Sequence, residues 1–182
     1  MWRDTVGSVS SGSGFHLRLA TVDDAEAIRV MYNYEVENTT ATFDLVPRTL
    51  EEQRRWLEDR SGAFSAVVAV DDASHEVLGF ASLSPYKERA AYRTSVEDSV
   101  YVRRDAHGRG IGKALLGHVL DLAADSGFHA VMARIEASGT ASRALHTSCG
   151  FQLVGIERQI GRKFNRWLDV ALMQCLLDER RG

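Results

Sequence analysis

The chain has 182 residues, 45% of them hydrophobic and 26% charged, with a formal net charge of −3. That supplies one globular core and gives no reason for a nucleic-acid partner, so any basic patch has to be local. The two cysteines, Cys149 and Cys175, form no CxxC pair, which argues against a disulfide scaffold and suits a cytoplasmic, reducing setting. No run approaches the roughly 20 apolar residues of a membrane span, so no membrane partner is expected.

Residues 1–14, rich in serine and glycine, read as a flexible leader; residues 15–178 read as one domain and 179–182 as a tail. FHLRLA alternates and predicts a first strand. Thr21 with Asp24, and later Thr49 with Glu52, have the spacing of helix-start capping pairs. The first helix carries Ala25, Ile28, Met31 and Tyr32 on one face. FSAVVAV and EVLGFASLS, separated by DDASH, predict an antiparallel hairpin. A polar loop, PYKERAAYRT, leads to the strand SVEDSVYVR. Its alternation puts Val96, Val100 and Val102 on one face and Glu97, Ser99 and Tyr101 on the other.

The segment RRDAHGRGIGKALL follows. Glycines stand at 108, 110 and 112, among Arg103, Arg104, His107, Arg109 and Lys113. A helix then runs to Gly127, HAVMARIE predicts a strand, TASRALHTSCG a helix closed by Gly150, and FQLVGIERQI and RWLDVALMQCLL the last two strands. The sum is a mixed α/β domain: about seven strands in one sheet, flanked by about four helices.

Counting rules out two phosphate motifs for the glycine turn. Gly108 to Gly112 is one residue short of a Walker A loop, with Ala114 where a hydroxyl is needed, and Lys113 occupies the last glycine position of a dinucleotide fingerprint. A glycine-rich turn entering a helix still offers converging N–H groups, a positive dipole end and, here, basic side chains. Those features suit a pyrophosphate; the alternative is a plain strand-to-helix turn with solvated charges. His75-Glu76 lacks the second histidine of a zinc motif, and no metal-ligand spacing is found.

HGRGIGKALL resembles the acetyl-CoA pyrophosphate loop of the GNAT superfamily of N-acetyltransferases, with His107 at the position usually held by glutamine or arginine. ASRALHTSCGF resembles that family's pantetheine-flanking helix. TTATFDLVPRTLEEQRRWL, AYRTSVEDSVYV and GRKFNRWLDVALMQ resemble the phosphinothricin and methionine sulfoximine N-acetyltransferase subfamily. The resemblance spans roughly residues 15–178. It implies a GNAT-like single domain with a central, mixed, mostly antiparallel twisted sheet.

The resemblance also implies roles. The co-substrate would be acetyl-CoA, without a metal. His107, Gly108, Arg109, Gly110, Ile111, Gly112 and Lys113 would hold the pyrophosphate. Splayed main chain near Val100, Tyr101 and Val102 would meet the thioester, and Ser142 the pantetheine arm. The family's pantetheine-contacting asparagine would fall at Gly139. Glu97 would be the base that frees the amine; Asp98, on the opposite strand face, would be a poor substitute. His146 would stand at the leaving thiol. Arg89 and Tyr92 would grip the substrate's acidic group, with Phe43 and Thr42 along its side chain. Trp167 would pack and Asp169 would be structural or at a subunit interface. A small-molecule amine is the expected substrate and a homodimer the expected assembly. Another amine substrate (a peptide N-terminus, a polyamine or an aminoglycoside) and a non-catalytic acyl-CoA sensor are the alternatives.

Overall fold

The structure is a computed structural model that describes residues 10–11 and 14–180. Most of the expected leader therefore lies outside the described residues, as do the last two residues. The elements run β1 (Ser10–Ser11), β2 (Phe15–Leu19), α1 (Ala25–Asn38), α2 (Leu50–Glu58), β3 (Val67–Asp71), β4 (Val77–Pro85), β5 (Ser95–Val102), α3 (Ile111–Asp125), β6 (Ala130–Glu136), α4 (Thr140–Ser148), β7 (Gln152–Lys163), β8 (Arg166–Leu176) and α5 (Leu177–Arg180). The strands form one sheet in the order β1-β2-β3-β4-β5-β6-β8-β7. All pairings are antiparallel except β5 with β6. The seven strands read from the sequence are all present; the two-residue β1 adds an edge within the segment read as leader.

The sheet is buried between two helical layers, and β3 shows why. Val67 and Ala69 pack into the core under α3, while Val68 and Val70 pack into the core under α1 and α2. A strand buried on both faces has to be apolar at every position, as VVAV is. On one side Ile111, Leu115, Leu116, Val119 and Leu120 of α3 bury a continuous stripe. On the other, Ile28, Tyr32 and Val36 of α1 meet Leu57 of α2 and Phe80 of β4.

Local chemistry sets the element ends. Glu52 and Thr49 form the expected capping box, with Thr49 N–H donating to the Glu52 carboxylate at 2.8 Å and Glu52 N–H donating to Thr49 Oγ1 at 3.2 Å. Thr21 instead starts a short 3₁₀ turn, Val22–Asp24, ahead of α1. Asp24 accepts from the Thr21 N–H and from two Arg18 nitrogens, each at 2.7 Å. β7 runs three residues beyond its predicted end at Ile160. A register break between Glu157 and Gly161, with Gln159 at φ 52°, absorbs the extra length. The Asp169 carboxylate accepts from the Gln159 N–H at 2.7 Å and holds that bulge. Trp167, expected to pack, is 61% exposed.

Candidate active site

The parallel pairing of β5 with β6 covers only Ser95–Ala130, Val96–Val131 and Glu97–Met132. Beyond that rung β5 continues along β4 to Val102, while β6 continues along β8 to Glu136. The sheet thus opens into a fork, with Glu97 on its last closed rung.

Main-chain direction follows from two bonds. The Thr94 carbonyl accepts from His129 and Ala130, towards β6, whereas the Arg103 N–H donates to Leu78 O, towards β4. Strand groups alternate with period two. The N–H and C=O of Val100 and Val102 therefore point into the fork. The Val102 carbonyl accepts from His107 Nε2 at 3.0 Å, so the His107 ring ties the glycine turn back to β5.

A cleft of about 550 Å³ fills the fork and the space beneath the α1–α2 loop. Glu97, Val100, Tyr101, Ser142 and His146 line it, as do Thr42 and Phe43. The Tyr101 ring is edge-on to Tyr32 and stacked on Phe80, beside Thr42. Thr42 is held from both ends: its Oγ1 bonds the Tyr32 hydroxyl at 3.0 Å, and its carbonyl accepts from Lys163 Nζ at 2.8 Å. The Phe43 ring covers Gly161, where an added Cβ would collide with it.

Two carboxylates in this cleft are treated differently. Glu136 accepts from Thr40 Oγ1 at 3.1 Å and from the Ser138 N–H at 3.1 Å. Burial opposes ionisation of Glu136, but these bonds hold its pKa below the usual value. Glu97 has no hydrogen-bond partner for its carboxylate among the described residues. Burial pushes its pKa up, and the nearby Arg134 charge only partly opposes that. A raised carboxylate in a cleft is the environment of a general base.

His146 is 2% exposed and both its ring nitrogens are engaged. Nδ1 donates to the Ser142 carbonyl at 2.7 Å, and Nε2 meets Asp98 Oδ2 at 3.0 Å. Burial pulls the imidazole's pKa down, but the Asp98 hydrogen bond and charge carry the net shift upward. In this arrangement the ring presents no free nitrogen to a thiol.

The glycine turn sits at the open end of the fork. Gly108 and Gly110 both adopt φ 79°, a conformation open to glycine. Gly110 caps α3, whose first-turn N–H groups lack helical acceptors. Arg109 donates to Asp71 at 3.0 Å. Hydrogen bonds from Ser74 N–H, Arg109 and Ala73 N–H hold Asp71 at a pKa of about 2. Lys113 is exposed in the first turn of α3, and Gly112 lies where a Cβ would press on Leu145 of α4.

Arg89 and Tyr92 do not line the cleft of the single chain. Both are exposed on the 86–94 loop, with Tyr92 edge-on to Tyr86. Arg104, which the sequence offers only as a basic neighbour of the glycine turn, and Arg134, to which it assigns no role, do line it. Arg104 reaches both oxygens of Glu35 at 3.1 and 3.2 Å, and Arg134 pairs with Glu157 at 2.7 Å. Asp98 was also passed over as a site residue. Its signal was present: a carboxylate sharing the apolar face of Val96 and Val100 needs a buried partner. Among the described residues no cluster of three or more metal-ligating side chains occurs, and no helix is long and apolar enough to cross a membrane.

A fork in a mixed sheet beside a glycine-rich strand-to-helix turn agrees with the family comparison. The GNAT acetyltransferase domain matches residues 17–172. The chain belongs to the GNAT family of N-acetyltransferases. It is 39% identical to the L-methionine sulfoximine/L-methionine sulfone acetyltransferase of Pseudomonas aeruginosa over 166 residues, covering 91% of this chain and 96% of that one. It is 42% identical to a phosphinothricin N-acetyltransferase of Streptomyces coelicolor over 157 residues, covering 85% and 92%. A phosphinothricin acetyltransferase from Sinorhizobium meliloti, solved in complex with acetyl-CoA, superposes with a TM-score of 0.85 at 36% identity, over 90% of this chain and 88% of that one.

Proposed function

We propose that this GNAT enzyme transfers the acetyl group of acetyl-CoA to the amine of a small amino acid analogue: phosphinothricin, methionine sulfoximine or methionine sulfone. The carrying observation is Glu97, a half-buried carboxylate without a hydrogen-bond partner among the described residues, raised in pKa at the closed end of the fork. The relatives named above support the substrate class.

The amine arrives largely protonated, since an α-amino group has a pKa of about 8 or higher. Passing its proton to an ordinary glutamate would be uphill by about 5 kcal/mol. Burial narrows that gap by raising Glu97. The freed nitrogen forms its bond to the thioester carbon, the C–S bond breaks, and the coenzyme leaves as thiolate, which becomes the thiol as the nitrogen sheds its second proton. The Val100 N–H, directed into the fork, polarises the carbonyl as charge develops on its oxygen.

The turn from His107 to Lys113 receives the pyrophosphate through the α3 N-terminal N–H groups and Lys113, while His107 and Arg109 hold the turn in shape. Ser142 contacts the pantetheine arm. Thr42 and Phe43 face the substrate side chain. Within one chain the substrate's carboxylate meets Arg104 and Arg134; Arg89 and Tyr92, the clamp suggested by the resemblance, would act from the 86–94 loop.

The enzyme is also proposed to be a homodimer. β7 is a sheet edge, and Val154, Ile156, Ile160, Phe164 and Trp167 on the β7–β8 hairpin are exposed.

The test is thiol release from acetyl-CoA with a panel of amines: the three analogues, spermidine, an aminoglycoside and a short peptide. Turnover confined to the analogues supports the proposal. Turnover only on another amine discards the substrate while leaving the transfer chemistry.

A further inference from the structure

We propose that Asp98 is a positioning residue for acetyl transfer, acting through His146 as a clasp that fixes the aperture of the fork. This rests on the reading of the fork as the acetyl-transfer site.

Asp98 and His146 have side chains only 1% and 3% exposed. Asp98 is the first residue of β5 past the last rung shared with β6. His146 lies on α4, the helix that follows β6 in the chain. Their contact therefore ties one arm of the fork to the helix that follows the other, just where backbone pairing stops. On one side Asp98 Oδ2 meets Nε2; on the other Nδ1 donates to Ser142 O, one turn back on α4. Edge-on packing against Phe151, with ring centroids 5.0 Å apart, fixes the imidazole from the side. The second carboxylate oxygen of Asp98, Oδ1, is buried without a hydrogen-bond partner. His146 is thus the only hydrogen-bond donor to this side chain among the described residues, and the carboxylate has no competing anchor.

The chain Asp98–His146–Ser142 sets the distance between two parts of the cleft. One is the main chain of Val100, two residues along β5. The other is the first turn of α4, where Gly139 and Ser142 line the cleft. A thioester threaded between them has to meet the first while being held by the second. Small displacements of aligned groups cost rate more than affinity. The clasp should therefore act on kcat more than on KM for the amine.

The proposal separates from a proton-donor role for His146 through the isosteric variant. In Asp98→Asn the asparagine Nδ2 donates to Nε2 of a neutral His146, whose Nδ1–H still serves Ser142. The clasp survives and the shared acidic proton is lost.

Three variants test this, assayed with whichever amine the wild type turns over: Asp98→Ala, Asp98→Asn, and the double variant Asp98→Leu/His146→Phe. The double variant removes both members of the pair and so leaves no buried charge unpaired, which keeps the test intact even if Asp98→Ala fails to fold. Asp98→Ala and the double variant should lose about tenfold to a hundredfold in kcat, with KM for the amine within about threefold of wild type. Asp98→Asn should keep kcat within about threefold. A stable double variant with wild-type kcat would overturn the proposal. So would an Asp98→Asn enzyme as slow as the double variant, which would assign the effect to the proton. If the wild type turns over no amine, the functional reading fails separately. Hydrogen exchange then decides the clasp: the α4 amides from Arg143 to His146 should exchange about tenfold faster in the double variant, and unchanged exchange would refute it.

Discussion

Glu136 accepts hydrogen bonds from Thr40 and Ser138, whereas Glu97, facing the same cleft, accepts none among the described residues. The two carboxylates are pushed in opposite directions, Glu136 down and Glu97 up. Environment, not residue type, separates a fixed charge from a proton acceptor.

Replacing Glu97 with Gln should lower kcat by about 10²- to 10³-fold, in the range typical of lost general base catalysis. Glu136→Gln should change it far less. Steady-state kinetics of the two variants side by side measure the contrast. Activity of the wild type should fall with falling pH through the raised Glu97 pKa, hence at a higher pH than for an ordinary glutamate. A pH–rate profile whose acid limb disappears in Glu97→Gln is the expected signature.

The same shift predicts a gain in stability. A carboxyl whose pKa is higher folded than unfolded binds more protons when folded, so stability falls as pH rises between the two values. Glu97→Gln should therefore melt above the wild type at pH 7, and the gain should vanish at pH values below the unfolded glutamate pKa. His146 has the same sign for a base: its raised pKa contributes stability below the unfolded histidine pKa, which is lost as pH rises through the folded value. Thermal melts across pH 4–9 for wild type and Glu97→Gln separate the two contributions.

Lys163 is 4% exposed and donates to the Glu35 and Thr42 carbonyls, at 3.3 and 2.8 Å. It holds the α1–α2 loop against β7. Lys163→Met should leave the Thr42 carbonyl without its donor, costing about 1–3 kcal/mol of stability. It should also raise KM for the amine more than KM for acetyl-CoA. Denaturant melts and the two Michaelis constants check both parts.

Much of this was legible in the sequence, and the exceptions are physical. Period-two alternation in SVEDSVYV placed Glu97 and Asp98 on opposite faces, as found. The glycine turn was legible because positive φ demands glycine at 108 and 110. The Thr49–Glu52 cap was legible because both partners are local. The fork was not: it depends on where β6 leaves β5 for β8, a long-range pairing. Nor was the Asp98–His146 contact, which joins residues 48 apart in the chain. Arg134 and Lys163 carry no local pattern either: Arg134 pairs with Glu157 on β7, and Lys163 reaches the Glu35 and Thr42 carbonyls, all far away in the chain. Arg89 and Tyr92 were assigned by resemblance alone, and within one chain they stand outside the cleft.

Exposed apolar groups on β7 lead to a prediction about assembly. Sedimentation should show a dimer at micromolar concentration. Ile160→Asp, at a residue 56% exposed, should shift it to monomer without unfolding the chain. A wild type that sediments as a monomer would remove the dimer from the account.

The central claim is tested most directly by mixing the purified enzyme with acetyl-CoA and methionine sulfoximine. Free thiol and the mass of the product are then followed for the wild type and Glu97→Gln. The account predicts saturable thiol release with stoichiometric N-acetyl product for the wild type, and a rate at least about a hundredfold lower for the variant. Wild-type enzyme that binds acetyl-CoA and acetylates nothing, or a Glu97→Gln variant as fast as wild type, would contradict it.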